Sequence, residues 1–215
     1  LRDIPSGELM DLSPFVNLDL AGASVTSNTV LSPDGSKLAF NSRSSYPALG
    51  ATNGGLFVLD IASRTVSVVS SAGSSLAFRA GIPVSFLADS RRLAFLGNAS
   101  GTGAEGAFVI DLVNGAARLA FSAPVGQALP TPLSFSGDGN ILAYTRPYFV
   151  SGRQEAIVRN VTSGQEQFAN ITAAGVVGNG ESRLPLLSRD GTRVVFDSIS
   201  SNLLQPTLTT LTYWP

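Results

Sequence analysis

The 215-residue chain contains no cysteine and no histidine. The first absence excludes disulfides and thiolate metal sites. The two together exclude Ser-His-Asp and Cys-His catalysis and histidine-based zinc sites within these residues. Charge is scarce too: Asp, Glu, Lys and Arg make up 13% of the chain, about half the usual share. A net charge of −1 leaves no electrostatic footprint for nucleic acid or an anionic membrane. Of the 14 basic residues only Lys37 is a lysine, so a Ser–Lys dyad has one candidate. No apolar run approaches the roughly 20 residues of a membrane span. No signal peptide is visible, and a first residue of Leu rather than Met reads as a processed chain or an excerpt. What fills the space is Ser, Thr, 22 Gly and 12 Pro. That composition favours strands and turns over helices, and it leans towards an exported protein, periplasmic or extracellular.

Internal repetition decides the fold class. Four segments align without gaps: VLSPDGSKLAF (30–40), SFLADSRRLAF (85–95), SFSGDGNILAY (134–144) and LLSRDGTRVVF (186–196). Their aligned acids, Asp34, Asp89, Asp138 and Asp190, are 55, 49 and 52 residues apart. Each segment reads as strand, tight turn, strand. In Ser32-Pro33-Asp34-Gly35 the proline presets φ, the carboxylate bonds nearby backbone N–H groups, and the glycine accepts positive φ. Gly139 and Gly191 recur at that glycine's place, and Ser90 departs from it. Short apolar runs follow, such as Leu38-Ala39-Phe40, as expected of strands covered on both faces.

A second hairpin follows in the first three repeats: GLFVLDIASRTVSVV (55–69), AFVIDLVNGAARLAF (107–121) and AIVRNVTSGQEQF (156–168). Two hairpins make four strands, and four strands every 50 or so residues is a propeller blade. The fourth repeat lacks its second hairpin, but residues 2–9 align with 59–66, turn on turn. Counted around the junction, Asp190 and Asp3 are 28 residues apart, close to the spacing inside the chain. The expected architecture is therefore all-β, a β-propeller of four-stranded antiparallel blades. The repeats run from about 27–70, 82–122, 132–169 and 184–215, with 1–12 completing the last, and the whole reads as one domain. Leu9–Leu12 is expected to pair with a strand over 208–214.

SPDGSKLAF, followed by an apolar strand ending in Asp60, resembles the repeats of TolB-like propellers, which are related to WD repeats, and of the propeller domains of some peptidases. The resemblance covers nearly the whole chain. It implies the architecture far more than a function, because such folds host scaffolds, binders and enzyme lids. Those propellers usually have six or more blades, so four repeats imply either a small closed ring or part of a larger propeller.

No constellation rises to a catalytic site. Seven acids (Asp3, Asp34, Asp60, Asp89, Asp111, Asp138, Asp190) occupy repeated positions explained by turns and strand ends. Glu105, Glu155, Glu166 and Glu181 fall in or beside connections without a recognisable spacing, and paired-carboxylate glycoside chemistry would have to use these. Asp138-Gly139-Asn140 lacks the spaced acids of a calcium loop, and Gly101–Gly106 matches G-x-G-x-x-G between two strands, where no helix opens. No catalytic, cofactor or metal residue is assigned. Sequons stand at Asn98, Asn160 and Asn170, about as many as chance gives.

Loop lengths carry the functional expectation. Connections between the second and third strands (43–53, 97–106, 146–153, 198–207) and between blades (13–28, 70–81, 122–131, 170–183) read as long. Strand alternation would gather all of them on one face. That face would collect Arg43, Tyr46, Arg79, Arg146, Tyr148, Phe149, Arg153 and Arg183, along with Phe78, and Arg and Tyr are favoured interface anchors. The expectation is a non-catalytic binding or assembly module that takes a protein partner there, as an accessory or scaffold subunit. The alternatives are the propeller domain of a larger hydrolase or peptidase, and a carbohydrate-active propeller using loop carboxylates.

Overall fold

The computed structural model describes residues 1, 4–12, 29–42, 49–51, 54–71, 76–78, 85–99, 105–123, 129–130, 132–148 and 152–203. The chain divides into two compact units, Leu1–Leu129 and Pro130–Pro215. Among the described residues there are fifteen strands and no α-helix.

The first unit holds two sheets. Strands β1 (Thr29–Leu31), β2 (Lys37–Ser42), β3 (Gly55–Asp60) and β4 (Thr65–Ser71) pair in chain order, all antiparallel. The second sheet has β5 (Leu76–Phe78), β6 (Ser85–Phe86), β7 (Arg92–Ala99), β8 (Glu105–Asp111) and β9 (Ala117–Ser122). Its β5 corrects the expected loop over 70–81. β6 ends opposite Ala94, so β7 runs on with a bare edge, and β5 fills it, pairing Phe78 with Gly97. Pairing of Asn98 with Glu105 likewise shortens the expected connection over 97–106 to residues 100–104. Ala39, Leu56 and Val58 of the first sheet form one core cluster with Phe86, Leu93, Phe95, Phe108 and Ile110 of the second. On the first sheet's other face, Phe40, Phe57, Leu59 and Ala51 are wholly buried, with Phe40 and Phe57 stacked at 5.5 Å. Strands buried on both faces explain the unbroken apolar runs.

The second unit holds β10 (Leu133–Phe135), β11 (Ile141–Tyr148), β12 (Arg153–Asn160) and β13 (Glu166–Phe168) in one antiparallel sheet, and a two-stranded sheet of β14 (Ser182–Leu187) and β15 (Val194–Ser198). β14 lies on the third repeat's sheet, where Leu187 N–H donates to Ser134 Oγ at 2.9 Å and Leu184 N–H to Thr145 Oγ1 at 3.1 Å. The strand expected over 208–214, and hence its pairing with Leu9–Leu12, lies outside the described residues.

All four repeats turn alike. Ser32 Oγ donates to Asp34 Oδ1 (2.7 Å) and accepts from Lys37 N–H (2.9 Å), and Gly35 N–H closes the turn on Ser32 O. Ser136 with Asp138 and Ser188 with Asp190 repeat this geometry. The second repeat has Leu87 where the others have serine, so Asp89 takes Arg92 N–H itself, at 2.9 Å. Gly35, Gly139 and Gly191 have φ of 72°, 73° and 71°, and Ser90 adopts 54° at the same place, a region L-residues visit at a cost. The N-terminal residues form the second kind of hairpin. Leu1 and Met10 exchange backbone hydrogen bonds of 2.9 Å, matching the Val58–Ser67 pair, and Gly7 at φ 73° takes the place of Arg64 at 57°.

Candidate functional site

The described residues place the expected contact residues of the second unit on strands rather than on loop tips. β11 and β12 pair from Ile141–Asn160 out to Tyr148–Arg153, so the expected loop over 146–153 shrinks to residues 149–152. The correction has a local cause: Tyr, Thr and Val favour extended backbone, and charged partners hold the strand ends. Pro147, which cannot donate to a ladder, lies beyond Tyr144, where β10 stops. Arg43, Tyr46, Arg79 and Phe149 lie outside the described residues, as does the side chain of Tyr148.

Three of the expected arginines are anchored by acceptors of their own unit. Arg146 Nη1 pairs with Glu166 Oε2, Arg153 Nη1 donates to Asn179 O, and Arg183 Nη2 pairs with Glu181. More than a third of each side chain stays exposed, and for Arg183 52%. Glu166 also accepts from Tyr144 Oη at 2.5 Å and Arg159 Nη1 at 2.7 Å. Burial alone would raise the Glu166 carboxyl, but these three donors outweigh it and hold the group below its ordinary value. Burial, helped by Glu166, pushes the Tyr144 phenol above its ordinary value.

Beside this network the connection after β13 is fastened to the sheet. Asn170, fully buried, donates its amide to Glu155 Oε2 at 2.5 Å, and Glu155 is 1% exposed. Gly178 N–H donates to Asn170 O. Further along, Asn179 N–H donates to Asn202 Oδ1 at 2.8 Å, and its side-chain amide donates to Ser201 Oγ. The connection is therefore fastened at several points, and it carries Ile171 and Val176 exposed to solvent, at 45% and 57%; Ile199, after β15, is 79% exposed. Sequence reasoning picked out the arginines and missed these aliphatics. The signal was present in Ile171 and in Val176-Val177, apolar residues within a stretch read as a loop.

The acids weighed for catalysis have structural employment. Glu155 and Glu166 serve the network above, Glu105 Oε2 accepts from Leu129 N–H at 3.3 Å, and Glu181 pairs with Arg183. In the first unit an open groove of about 420 Å³ is lined by Lys37, Val58, Asp60, Val69, Ile110 and Asp111, among others. Its carboxylates are held by their own hairpins. Ser63 bonds Asp60 and lowers its carboxyl, and the Arg91 guanidinium holds Asp111 down at about 2. Lys37, half-buried on β2, donates to Ser36 Oγ at 3.0 Å. Among the described residues no three acids or histidines gather as a metal site. Of the sequons, Asn170 is buried, and Asn160 Oδ1 is taken by Thr162 and Ser163 N–H groups.

Comparison with known proteins supports the architecture. The chain superimposes on TolB from Acinetobacter baumannii with a TM-score of 0.52 at 16% identity, covering 90% of this chain and 41% of that one. It matches oligogalacturonate lyase from Vibrio parahaemolyticus at 0.52 and 12% identity (79% and 44% covered). It also matches the tricorn protease at 0.54 and 12% identity (83% and 16% covered). The fold is a TolB-like β-propeller fold, and the chain spans less than half the length of each of these three proteins. No protein-family model matches the chain, and no curated protein does so at a significant level.

Proposed function

We propose that the chain is a non-catalytic binding module that takes a protein partner at the strand-end surface of its second unit. The observation behind this reading is the pairing of anchored guanidinium groups, those of Arg146, Arg153 and Arg183, with the exposed aliphatics Ile171, Val176 and Ile199. An arginine already held by a neighbour loses little freedom on binding, and interfaces favour Arg beside apolar area. The connection that presents Ile171 and Val176 is itself fastened by Asn170 and Asn179, so the surface is preorganised. An exported setting belongs to the same proposal and rests on the low charge and high Ser and Thr content.

The test uses the natural partner, recovered with tagged wild-type chain from its source and then measured as a purified pair. Ile199→Asp with Arg183→Ala is expected to weaken that pair by at least about tenfold while leaving the melting temperature unchanged. Normal affinity in the double variant would sink the proposed surface. Turnover of oligogalacturonides or peptides by the purified chain would overturn the non-catalytic reading.

A further inference from the structure

The turn between β8 and β9 brings a side-chain amide close to the backbone nitrogen that follows it. Three Asn-Gly steps occur in the sequence, at 53–54, 114–115 and 179–180, and Asn53 lies outside the described residues. In the second of these steps Asn114 Oδ1 accepts the N–H of Ala116, two residues on, at 2.9 Å. That bond curls the side chain over the intervening peptide and carries Cγ towards the Gly115 nitrogen. It also sets a backbone donor on the very oxygen that gains charge if the nitrogen adds to Cγ. Both residues are exposed, and nothing lies within 4 Å of the place a Gly115 Cβ would take, so an imide ring has room to close. The nitrogen is held by one hydrogen bond, to Asp111 O at 2.8 Å, which lies within a single exposed turn.

Related turns show what blocks the same step elsewhere. Asp34, Asp138 and Asp190 also precede glycine and accept an N–H two residues on. Hydrogen bonds, led by those of Ser32, Ser136 and Ser188, hold their carboxyls below the ordinary range. A carboxylate that stays ionised at neutral pH repels a nucleophile, whereas the Asn114 amide carries no charge. Asn160 accepts from Thr162 N–H in the same way, but the β-branched Val161 follows it and crowds the ring. Asn179 has the glycine without the freedom. Its Oδ1 and Nδ2 are both tied to Ser201, and a Cβ at Gly180 would lie 2.8 Å from the Ile199 backbone. Among the described residues Asn114 alone combines an uncharged electrophile, a following glycine and an open turn.

We propose that Asn114 is a site of spontaneous deamidation. The Gly115 nitrogen bonds to Cγ, and the side-chain nitrogen leaves as ammonia, its third proton replacing the one Gly115 gives up. Water then opens the succinimide to aspartate or isoaspartate. Each event adds one negative charge to a formal net charge of −1, in the turn that Asp111 opens beside its partner Arg91. Peptide mapping by mass spectrometry, on the whole chain aged in mildly alkaline buffer, reads each asparagine separately. In the folded chain Asn114 should convert at least about tenfold faster than Asn179, which must first break its Ser201 bonds. In guanidinium chloride the two should convert within about threefold of each other, because the fold no longer distinguishes them. A folded chain in which Asn114 reacts no faster than Asn179, or not at all, overturns the proposal. So does a preference for Asn114 that survives unfolding, which would trace it to local sequence and not to the turn. No residue of the proposed binding surface reacts, so neither result bears on that reading.

Discussion

The first and fourth repeats share one eleven-residue pattern and end in opposite environments. Their turns match bond for bond: Ser32 and Ser188 each donate to an aspartate two residues on and accept from an N–H five residues on. After the turn they part. Phe40 is wholly buried, while Phe196 at the same position is half-buried; Ala39 is sealed, while Val195 stands in solvent. A turn is encoded locally, by a hydroxyl, a carboxylate and a residue that accepts positive φ. Burial is not local, because a sheet face is covered only by what packs on it. The repeat thus specifies hairpins four times over and leaves the environment of each to its neighbours.

The sharpest test of that contrast is a matched pair of core truncations. Phe57→Ala removes a ring that is 0% exposed and stacked on Phe40, and should cost about 3–5 kcal/mol. Phe196→Ala should cost less than the Phe57 change, since part of the Phe196 ring stays in water in the folded state. Urea unfolding followed by circular dichroism reads both, and equal losses would break the comparison. Among the acids, Glu155→Ala strands the buried Asn170 amide and should cost about 1–3 kcal/mol. Glu181→Ala removes only an exposed pair with Arg183 and should stay within about 0.5 kcal/mol of wild type.

Much of the fold was legible in the sequence because its punctuation is local. The aspartates at 34, 89, 138 and 190 all fall in equivalent turns, and each second hairpin lies where its strand–turn–strand pattern placed it. The N-terminal segment forms the hairpin that its alignment with residues 59–66 implies. Strand ends were less legible. Tyr148 and Arg153 were read as part of a long connection over 146–153, yet cross-strand pairing carries both strands past Pro147. β5 was missed for a related reason: three residues filling a bare edge opposite Gly97 have no periodicity of their own. The arginines of the candidate surface were visible from composition. Their anchoring was not, since Arg153 meets Asn179 across 26 residues of chain.

The turn glycines sharpen the comparison at a smaller scale. Gly35→Ser forces an L-residue into positive φ with nothing within 4 Å of the new Cβ, at a cost of about 1 kcal/mol. Gly191→Ser meets the same backbone penalty and also places its Cβ 3.0 Å from Ser136 Cβ. Its loss in thermal melts should exceed that of Gly35→Ser, and an equal shift would show that the contact yields freely. Ser90 already tolerates this φ, and its hydroxyl accepts a hydrogen bond from Asp34 N–H at 3.1 Å. A serine at this position can therefore be used where its side chain finds a partner.

The smallest expected effect concerns single protons. Ser188 Oγ is the largest influence holding the Asp190 carboxyl below its ordinary value, with Thr192 N–H second. In the second repeat, where Leu87 replaces that serine, burial works to raise Asp89, and donors from Arg92 and Arg91 outweigh it. A carboxyl lowered in the folded state stabilises the fold above its unfolded value, near 4, and that contribution is lost as pH falls through the lowered folded value. All four turn aspartates are shifted in this direction, so acid should weaken every hairpin as pH falls below about 4. Ser188→Ala removes the leading donor from one turn only. Carboxyl titration followed by NMR should show Asp190 moving back towards the ordinary range while Asp89 stays where it was. If Asp190 does not move, the backbone N–H of Thr192 alone holds its charge, and the serine's part lies in accepting Arg193 N–H to close the turn.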